Sequence, residues 1–392
     1  MLHRISLALL FLAVIACDAS LFPAHAQQDW NLCKDDDAET EKSLAACTRV
    51  IKSGRYKGKD LAIAYYNRGV SQRAKDDIES ALRDYNEAIR IDPKYANAYN
   101  NRGNIWKSKD ELDRAIADYT TAIRLDPKHA LAYANRGDAL DDKGERDRAI
   151  ADLDMAIKLN PKYARAYNVR GTVWKAKGDL DRAIADYSAA IAADPKHAVA
   201  LVNRGDIWDD KRDYDRAIAD LTEAIRIDPK YARAYNIRGV VWKNKGDADR
   251  AIADFGEALR LDPKLHAAHV NRGNAYKDRG DLDRAIVDYT AAIKLNPSND
   301  RAHIRRSEVW LKKADLHAAL RDADEAVRLD PKDAVNYSGR AAVMRALKRP
   351  EDAVADLKKA HSLGPNASLK KEALQELVWV ILPDFRVAAT CR

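Results

Sequence analysis

Apolar residues follow a helical period along the chain, and the pattern is clearest between residues 96 and 128. Two apolar stripes occur there, each with members three or four residues apart, and the charged segment 109–111 separates them. The first stripe consists of Ala96, Tyr99, Gly103 and Trp106, and the second of Ala115, Tyr119, Ala122 and Ile123. The pattern predicts two helices joined by a short turn. Gly103 and Ala115 are small where these helices would touch, so we expect close packing.

The same pattern recurs at intervals of 34 residues. The tripeptide Asn-Arg-Gly begins at Asn67, Asn101, Asn135, Asn203 and Asn271, always at multiples of 34. Nine units follow one another without insertion or deletion: 61–94, 95–128, 129–162, 163–196, 197–230, 231–264, 265–298, 299–332 and 333–366. Stacked identical units exclude insertions, because one extra residue would displace every neighbour. Most units end in Asp-Pro-Lys, and we expect its Asp and Pro to cap and start the next helix.

These units resemble the tetratricopeptide repeat. Repeat positions are counted here from the second residue of each unit, which is Ala96 in the second. The second unit supplies the residues that the family requires: Tyr99, Gly103, Trp106, Ala115, Tyr119, Ala122 and Pro127. The fourth unit does so with Tyr167, Gly171, Trp174, Ala183, Tyr187, Ala190 and Pro195. The first, eighth and ninth units depart from the family pattern at Gln72, His303, Ser307, Ala341 and Met344.

The resemblance implies a fold and a binding surface. The fold would be an all-α, right-handed superhelical solenoid of nine helix-turn-helix repeats. The first helices of the repeats would line a concave groove that binds peptides or partner proteins. Because an array must cover its end faces, we expect an N-terminal capping segment at 27–60 and a C-terminal capping helix and tail at 367–392.

Two repeat positions that are normally apolar in the family carry opposite charges throughout. Position 7 is Arg in all nine units: Arg68, Arg102, Arg136, Arg170, Arg204, Arg238, Arg272, Arg306 and Arg340. Position 23 is Asp in all nine: Asp84, Asp118, Asp152, Asp186, Asp220, Asp254, Asp288, Asp322 and Asp356. This joint change predicts partly buried Arg–Asp pairs that connect helices within a repeat or between neighbours. The alternative is a row of arginines that binds a polyanion.

The positions that face the groove in the family carry a banded charge pattern with a period of two units. We therefore predict a groove lined by Asn97, Asn100, Asn104, Lys107, Asp138, Asp141, Asp142, Arg165, Asn168, Lys175, Asp206, Asp209, Asp210, Arg233, Asn236, Lys243, Asn274 and Lys277. Basic bands would alternate with acidic ones. The banding is either selected for an alternating partner or inherited from duplication of a two-repeat block.

The N-terminal residues predict export. The apolar segment 5–16 is too short to span a bilayer, and the small residues Ala24 and Ala26 favour cleavage of a signal peptide comprising residues 1–26. Residues 14–17 also resemble a lipobox, which would instead place a lipid anchor on Cys17. In an oxidising compartment, Cys33 and Cys47 are expected to form a disulfide. Cys391 would be a free thiol or, like the C-terminal helix, a route to dimerisation.

The composition excludes several classes of protein. Lys and Arg number 68 and Asp and Glu 61, so the net charge is only +7. Without a basic block, such a chain has a poor footprint for nucleic acid. The sequence contains no phosphate-binding loop, dinucleotide-binding motif or nucleophile elbow. We expect no catalytic activity, no cofactor, no metal and no transmembrane span, and we interpret His269 and His303 as core replacements for tyrosine.

Together these features predict a non-catalytic protein-interaction scaffold of the bacterial cell envelope, located in the periplasm or anchored to a membrane by lipid. Its partner would be an unidentified protein or peptide in the concave groove. The alternative is a periplasmic binder of cell-wall polysaccharide or peptidoglycan.

Overall fold

The computed structural model describes residues 25–35 and 37–364, which contain twenty helices and no strand. The chain divides into two compact units, Met1–Pro195 and Lys196–Arg392. The segment 5–16, Cys17, the C-terminal segment 367–392 and Cys391 lie outside the described residues. The all-α class predicted from the sequence is confirmed.

Ten described helices lie in each compact unit. In the first unit they are α1 (25–34), α2 (Thr40–Lys52), α3 (Gly58–Ala74), α4 (Ile78–Ile91), α5 (Ala96–Ser108), α6 (Leu112–Leu125), α7 (Ala130–Asp142), α8 (Arg146–Leu159), α9 (Ala164–Ala176) and α10 (Leu180–Ala193). In the second they are α11 (Ala198–Asp210), α12 (Tyr214–Ile227), α13 (Ala232–Asn244), α14 (Ala248–Leu261), α15 (His266–Asp278), α16 (Leu282–Leu295), α17 (Asp300–Lys312), α18 (Leu316–Leu329), α19 (Ala334–Ala346) and α20 (Pro350–Leu363).

From α3 onward the helices pack as consecutive pairs, α3 with α4 through α19 with α20. Three residues join the two helices of a pair, and the middle residue of each turn has a positive φ angle, such as 83° at Gly144 and 62° at Ala314. Within each compact unit, four residues join one helix pair to the next. The first helices also contact each other, α5 with α7 and α7 with α9 in the first unit, and α11 through α19 in sequence in the second.

The Asp-Pro-Lys segment ends one helix and does not start the next, so this part of the sequence prediction was wrong. Asp126 is the C-terminal cap of α6, and its carboxylate accepts a hydrogen bond from the Lys128 backbone N–H at 3.0 Å. The next helix begins at Ala130, and His129 caps it by accepting from the Ala132 N–H. The Asp side chain therefore stabilises the connecting turn through a short local bond.

Close packing within the helix pairs depends on the glycine at repeat position 8. A Cβ atom added at Gly103 would lie 2.7 Å from the ring of Tyr119, which is fully buried on the second helix. Ala115, one turn earlier, is also fully buried. The expectation of a close approach at Gly103 and Ala115 is therefore confirmed.

The predicted Arg–Asp pairs are confirmed in all nine repeats. In each pair the guanidinium Nε and Nη2 atoms donate to the two carboxylate oxygens of the aspartate sixteen residues later, within the same helix pair. All nine aspartates are buried. Because a buried carboxylate neutralises each guanidinium charge, these arginines do not form the unpaired cationic row that binding of a polyanion would need.

A second set of seven ion pairs connects neighbouring helix pairs within each compact unit, and the sequence patterns did not reveal it. Its members are Lys75–Glu41, Lys109–Glu79, Lys143–Asp113 and Lys177–Asp147 in the first unit, and Lys245–Asp215, Arg279–Asp249 and Lys313–Asp283 in the second. These pairs lie at the solvent-exposed edge near the turns. Each is therefore expected to contribute less than about 1 kcal/mol.

Candidate interaction surface

In the first compact unit, charged residues of neighbouring first helices pair with each other. The Nζ atom of Lys107 on α5 lies 2.6 Å from the carboxylate of Asp138 and 3.0 Å from that of Asp142, both on α7. Arg165 on α9 approaches Asp138 from the other side, with Nη2 3.2 Å from Oδ2. The basic and acidic bands predicted from the sequence thus neutralise each other here.

A chain of side-chain amides runs across the same helices. Asn135 on α7 donates through Nδ2 to Oδ1 of Asn100 on α5 at 2.9 Å, and it accepts from Nη1 of Arg165 at 3.0 Å. Both asparagines are buried. Asn100 was predicted to line the groove, but it is buried. Its amide connects the two first helices α5 and α7.

The second compact unit also has amide and ion-pair contacts between neighbouring first helices, with different partners. Asn271 on α15 donates to Oδ1 of the buried Asn236 on α13 at 3.1 Å. Asn244 donates to both carboxylate oxygens of Asp209 at 2.9 and 3.1 Å. Further ion pairs on these first helices join Lys243 to Asp278, Lys277 to Glu308, and Arg305 to Glu308.

Two predicted asparagines are positioned by buried tyrosines. Asn104 accepts a hydrogen bond from the hydroxyl of Tyr119 at 2.8 Å, and Asn274 accepts one from Tyr289 at the same distance. Burial raises the pKa of both tyrosine hydroxyls well above the ordinary value, so both stay protonated as donors. This hydrogen bond fixes the orientation of each asparagine amide. Because the bond uses the amide oxygen, the Nδ2 group does not take part in it.

Asp141 and Asp209 occupy equivalent positions on α7 and α11, and both have perturbed ionisation. Burial raises the pKa of Asp141; Arg146 opposes this shift, and the neighbouring carboxylates of Asp142 and Asp138 add to it. Burial likewise raises the pKa of Asp209, although Asn244 opposes the shift. The buried Oδ1 atom of Asp141 has no hydrogen-bond partner among the described residues.

The other predicted residues differ in accessibility. Asn97, Arg165, Arg233 and Asp210 are exposed, whereas Asn168, Lys175, Lys243, Asp206 and Lys277 are partly buried. Sequence reasoning missed three exposed apolar residues that share repeat position 2 with Arg165 and Arg233: Leu131, Val199 and Val335. Their signal in the sequence was the alternation of apolar residues and arginine at that position.

Two histidines extend the Arg–Asp pairs. The Nδ1 atom of His269 lies 3.2 Å from Oδ1 of Asp288, and that of His303 lies 3.3 Å from Oδ1 of Asp322. Both occupy repeat position 4, where other repeats place a tyrosine ring against the arginine, as Tyr99 does with Arg102. The interpretation of both histidines as core replacements is confirmed.

Cys33 and Cys47 form the predicted disulfide between α1 and α2. Their sulfur atoms are 2.12 Å apart, and both residues are buried. Trp30 stacks on Tyr56 beside this bond, with ring centroids 4.6 Å apart. The disulfide indicates an oxidising compartment. None of the helices in the described ranges is both long and apolar enough to cross a membrane.

Sequence profiles of one repeat family match this chain at several places. Sequence profiles described as tetratricopeptide repeat match residues 96–129 and 266–299, and also 134–198 and 202–266, while one described as TPR repeat matches residues 71–110. No curated protein matched the chain in a sequence search.

Two solved structures show the same fold. A tetratricopeptide repeat protein from Parabacteroides merdae ATCC 43184 is 22% identical, with a TM-score of 0.51 over 63% of this chain and 98% of that one. A chain of the APC/C hetero-tetramer Cut9–Hcn1 is 17% identical, with a TM-score of 0.54 over 91% of this chain and 88% of that one. The matched profiles extend over more than half of the sequence, and the helix pairs repeat every 34 residues. This chain belongs to the tetratricopeptide repeat family.

Proposed function

We propose that this chain is a non-catalytic scaffold that binds a peptide or partner protein on the surface formed by its first helices. The observation that carries this proposal is the exposure of large apolar side chains at repeat position 2. Leu131 is 39% exposed, Val199 40% and Val335 45%. Exposed apolar residues that recur at one register favour a binding surface over chance.

Arginines at the same position in the intervening repeats refine the proposal. Arg165, Arg233 and Arg301 are all exposed, and they alternate along the sequence with the apolar residues. Arg165 reaches Asn135 and Asp138 on the neighbouring first helix, so this position faces the row of first helices. A partner with apolar and anionic groups in alternation would match this order.

Lysine variants alone cannot test the proposal cleanly. Lys107→Glu would place a third carboxylate beside Asp138 and Asp142, which already pair with Lys107. The surface would then change through repulsion within the protein. Apolar-to-charged variants at position 2 avoid this problem. Leu131 and Val335 are exposed and uncharged, so replacing them does not remove a member of an ion pair.

The test compares proteins captured from cell-envelope extracts by the wild type, Leu131→Glu and Val335→Glu. The matched control is Val287→Glu, since Val287 is 66% exposed but lies on a second helix, α16. We expect a partner that both position-2 variants lose and the control retains. A partner retained by all variants would place the binding surface elsewhere. Undiminished binding of all variants to purified peptidoglycan, without a protein partner, would favour the polysaccharide alternative.

For the location, we propose the bacterial cell envelope, with export directed by residues 1–26. The disulfide supports an oxidising compartment, and the alternative processing at Cys17 would add a lipid anchor. The mass of the mature N-terminal peptide distinguishes these cases, since it begins at Gln27 after signal-peptide cleavage and at a lipidated Cys17 otherwise. An uncleaved Met1 in the native host would contradict both forms of processing.

A further inference from the structure

A pocket opens between the first two helices and the first helix of the first repeat. It has a volume of about 160 Å³ and is lined by α1, α2, the segment that joins them, and α3. A cavity of about 150 Å³ can hold a benzene molecule, so this pocket is large enough for one side chain of a partner. Because α3 forms one wall, the pocket adjoins the row of first helices in the first compact unit.

Two consecutive residues of the pocket depart from the repeat pattern in opposite directions. Val70 is 40% exposed at repeat position 9, where the next three repeats carry the polar residues Asn104, Asp138 and Thr172. Ser71 is buried at repeat position 10, where the other repeats carry the buried apolar residues Ile105, Ala139, Val173, Ile207, Val241, Ala275, Val309 and Val343. An apolar residue therefore faces outward and a polar one inward, which is the reverse of what packing between repeats favours.

The pocket presents oxygen atoms as well as apolar surface. Thr40, Ser43 and Ser71 contribute hydroxyl groups, and the Oγ atoms of the two buried serines lie 3.2 Å apart. Asp35 contributes an exposed carboxylate, whose Oδ1 atom accepts a hydrogen bond from the backbone N–H of Asp37 at 3.1 Å. The lining thus combines one carboxylate with three hydroxyl groups.

Two lysines that adjoin pocket residues in the sequence are engaged elsewhere. The Nζ atom of Lys34 lies over the ring of Trp30, 4.9 Å from its centroid. Lys75 follows the last pocket residue of α3 and pairs with Glu41 at 2.8 Å. Neither lysine forms an ion pair with the Asp35 carboxylate, so the pocket retains a negative charge that a cationic group of a partner would complement.

We propose that this pocket binds a lysine side chain of the partner, an inference that rests on the proposed function for the existence of that partner. A lysine ammonium has three N–H donors and no acceptor, which matches a lining of carboxylate and hydroxyl oxygens. Its methylene stem can cover apolar surface such as that of Val70 while the charged head stays at the polar groups. Arginine fits less well, because its planar fork pairs best with a carboxylate that has both oxygens open, and Oδ1 of Asp35 already accepts from Asp37.

The test is a titration of the full, disulfide-bonded chain with Nα-acetyl-lysine N-methylamide, followed by NMR of the valine methyl groups. We expect a saturable shift of the Val70 methyl signals and none at Val287, which is exposed on α16 and serves as the reference. The norleucine derivative keeps the four-carbon stem but lacks the ammonium group. Its dissociation constant should be higher by at least about tenfold, because it lacks the charge-assisted hydrogen bonds.

Asp35→Asn should weaken binding of the lysine derivative to a similar extent. The matched control is Asp37→Asn, which removes the same charge two residues away from a side chain that does not line the pocket. Ser71→Val places in the pocket the residue found at this position in other repeats, such as Val173, so it should fold normally and abolish the shift.

The lysine pocket is overturned if Val70 shows no saturable shift, if the norleucine derivative binds equally well, or if Asp35→Asn binds like the wild type. An equal loss in Asp37→Asn would also overturn it, because general attraction to acidic surface would then explain the binding. The titration needs no partner, so its outcome is separate from that of the capture experiment. A partner lost in Leu131→Glu together with no shift at Val70 would retain the scaffold and reject the pocket, whereas a shift without any captured partner would do the opposite.

Discussion

The buried pair of Arg and Asp is the residue-scale unit of this protein. Each arginine meets its aspartate through two parallel hydrogen bonds, and in most repeats its remaining Nη1 atom reaches the preceding helix pair, as Arg238 reaches the hydroxyl of Thr222 at 3.1 Å. The tyrosine at position 4 lies against the guanidinium, as Tyr235 does against Arg238 at 5.7 Å. One side chain therefore connects two repeats and specifies their register.

Breaking one pair should be strongly destabilising. Arg238→Leu leaves the buried carboxylate of Asp254 without its two donors, and we expect a loss of about 3–5 kcal/mol in the free energy of unfolding. The double variant Arg238→Leu/Asp254→Tyr, which restores the apolar residues usual in the family, should recover most of that loss. Urea unfolding of the full chain measures both values.

The control for this prediction is Arg226→Leu. Arg226 also makes two parallel hydrogen bonds, to Glu223, but that pair is exposed on α12. Its removal should change the unfolding free energy by no more than about 0.5 kcal/mol. A double variant at Arg238 and Asp254 that is no more stable than the single variant would disprove the energetic coupling of the pair.

Asp141 should make stability depend on pH. Its pKa is raised above the ordinary 3.8, so ionisation costs more in the folded state than in the unfolded state. The wild type therefore loses stability as the pH rises from 3.8 through the raised pKa. Asp141→Asn should be more stable at pH 7, by less than about 1 kcal/mol because the group is partly solvated. This advantage should disappear below pH 3.8.

Thermal unfolding across that pH range checks the Asp141 prediction. Asp147→Asn is the control, because it removes a carboxylate that pairs with Lys177 at the exposed edge and does not act on Asp141, so it should give no gain at neutral pH. An advantage of Asp141→Asn that persists unchanged in acid would show that the carboxylate charge is not its cause.

At the scale of the elements, two glycines distinguish close packing from simple helix propensity. Gly103→Ala should destabilise the protein by about 1–3 kcal/mol, since its Cβ would meet the fully buried ring of Tyr119 at 2.7 Å. Gly256→Ala should stabilise by about 0.5–1 kcal/mol, because Gly256 lies inside α14 and its added Cβ would approach only Arg272, at 3.9 Å.

Urea unfolding of the two alanine variants tests this contrast, and each serves as the control for the other. The substitution is the same in both, so helix propensity favours alanine equally. If both variants were stabilised, the contact between Gly103 and Tyr119 would be looser than the structure shows.

At the scale of the molecule, each repeat of an array is stabilised by its contacts with its nearest neighbours. The disulfide secures the N-terminal end, where α1 and α2 precede the first full helix pair. Closing a loop of about 15 residues stabilises a chain by about 3 kcal/mol. Cys33→Ser/Cys47→Ser should therefore increase hydrogen exchange in α1 to α3 and leave α15 to α20 unchanged. Exchange that rises equally along the whole chain would contradict nearest-neighbour coupling.

The repeating parts of the fold could be read from the sequence. The 34-residue period, the helical stripes and the joint change at positions 7 and 23 all recur, so each repeat supplied independent support for the helix pairs and the Arg–Asp contacts. The local capping at Asp126 was misread, because Asp-Pro is compatible with either end of a helix and only the backbone geometry distinguishes them.

The sequence by itself determined which residues recur, and hence the all-α class, the helix pairs and the prediction that the arginines at position 7 pair with the aspartates at position 23. Only the structure showed that each arginine meets the aspartate of its own repeat, as Arg68 meets Asp84. Tertiary structure decided what depends on distances between neighbouring first helices. It placed Lys107 against Asp138 and Asp142, buried Asn100, and left Leu131 exposed. A periodic sequence fixes the face on which a side chain lies, but neutralisation and accessibility depend on the neighbour that reaches it in three dimensions.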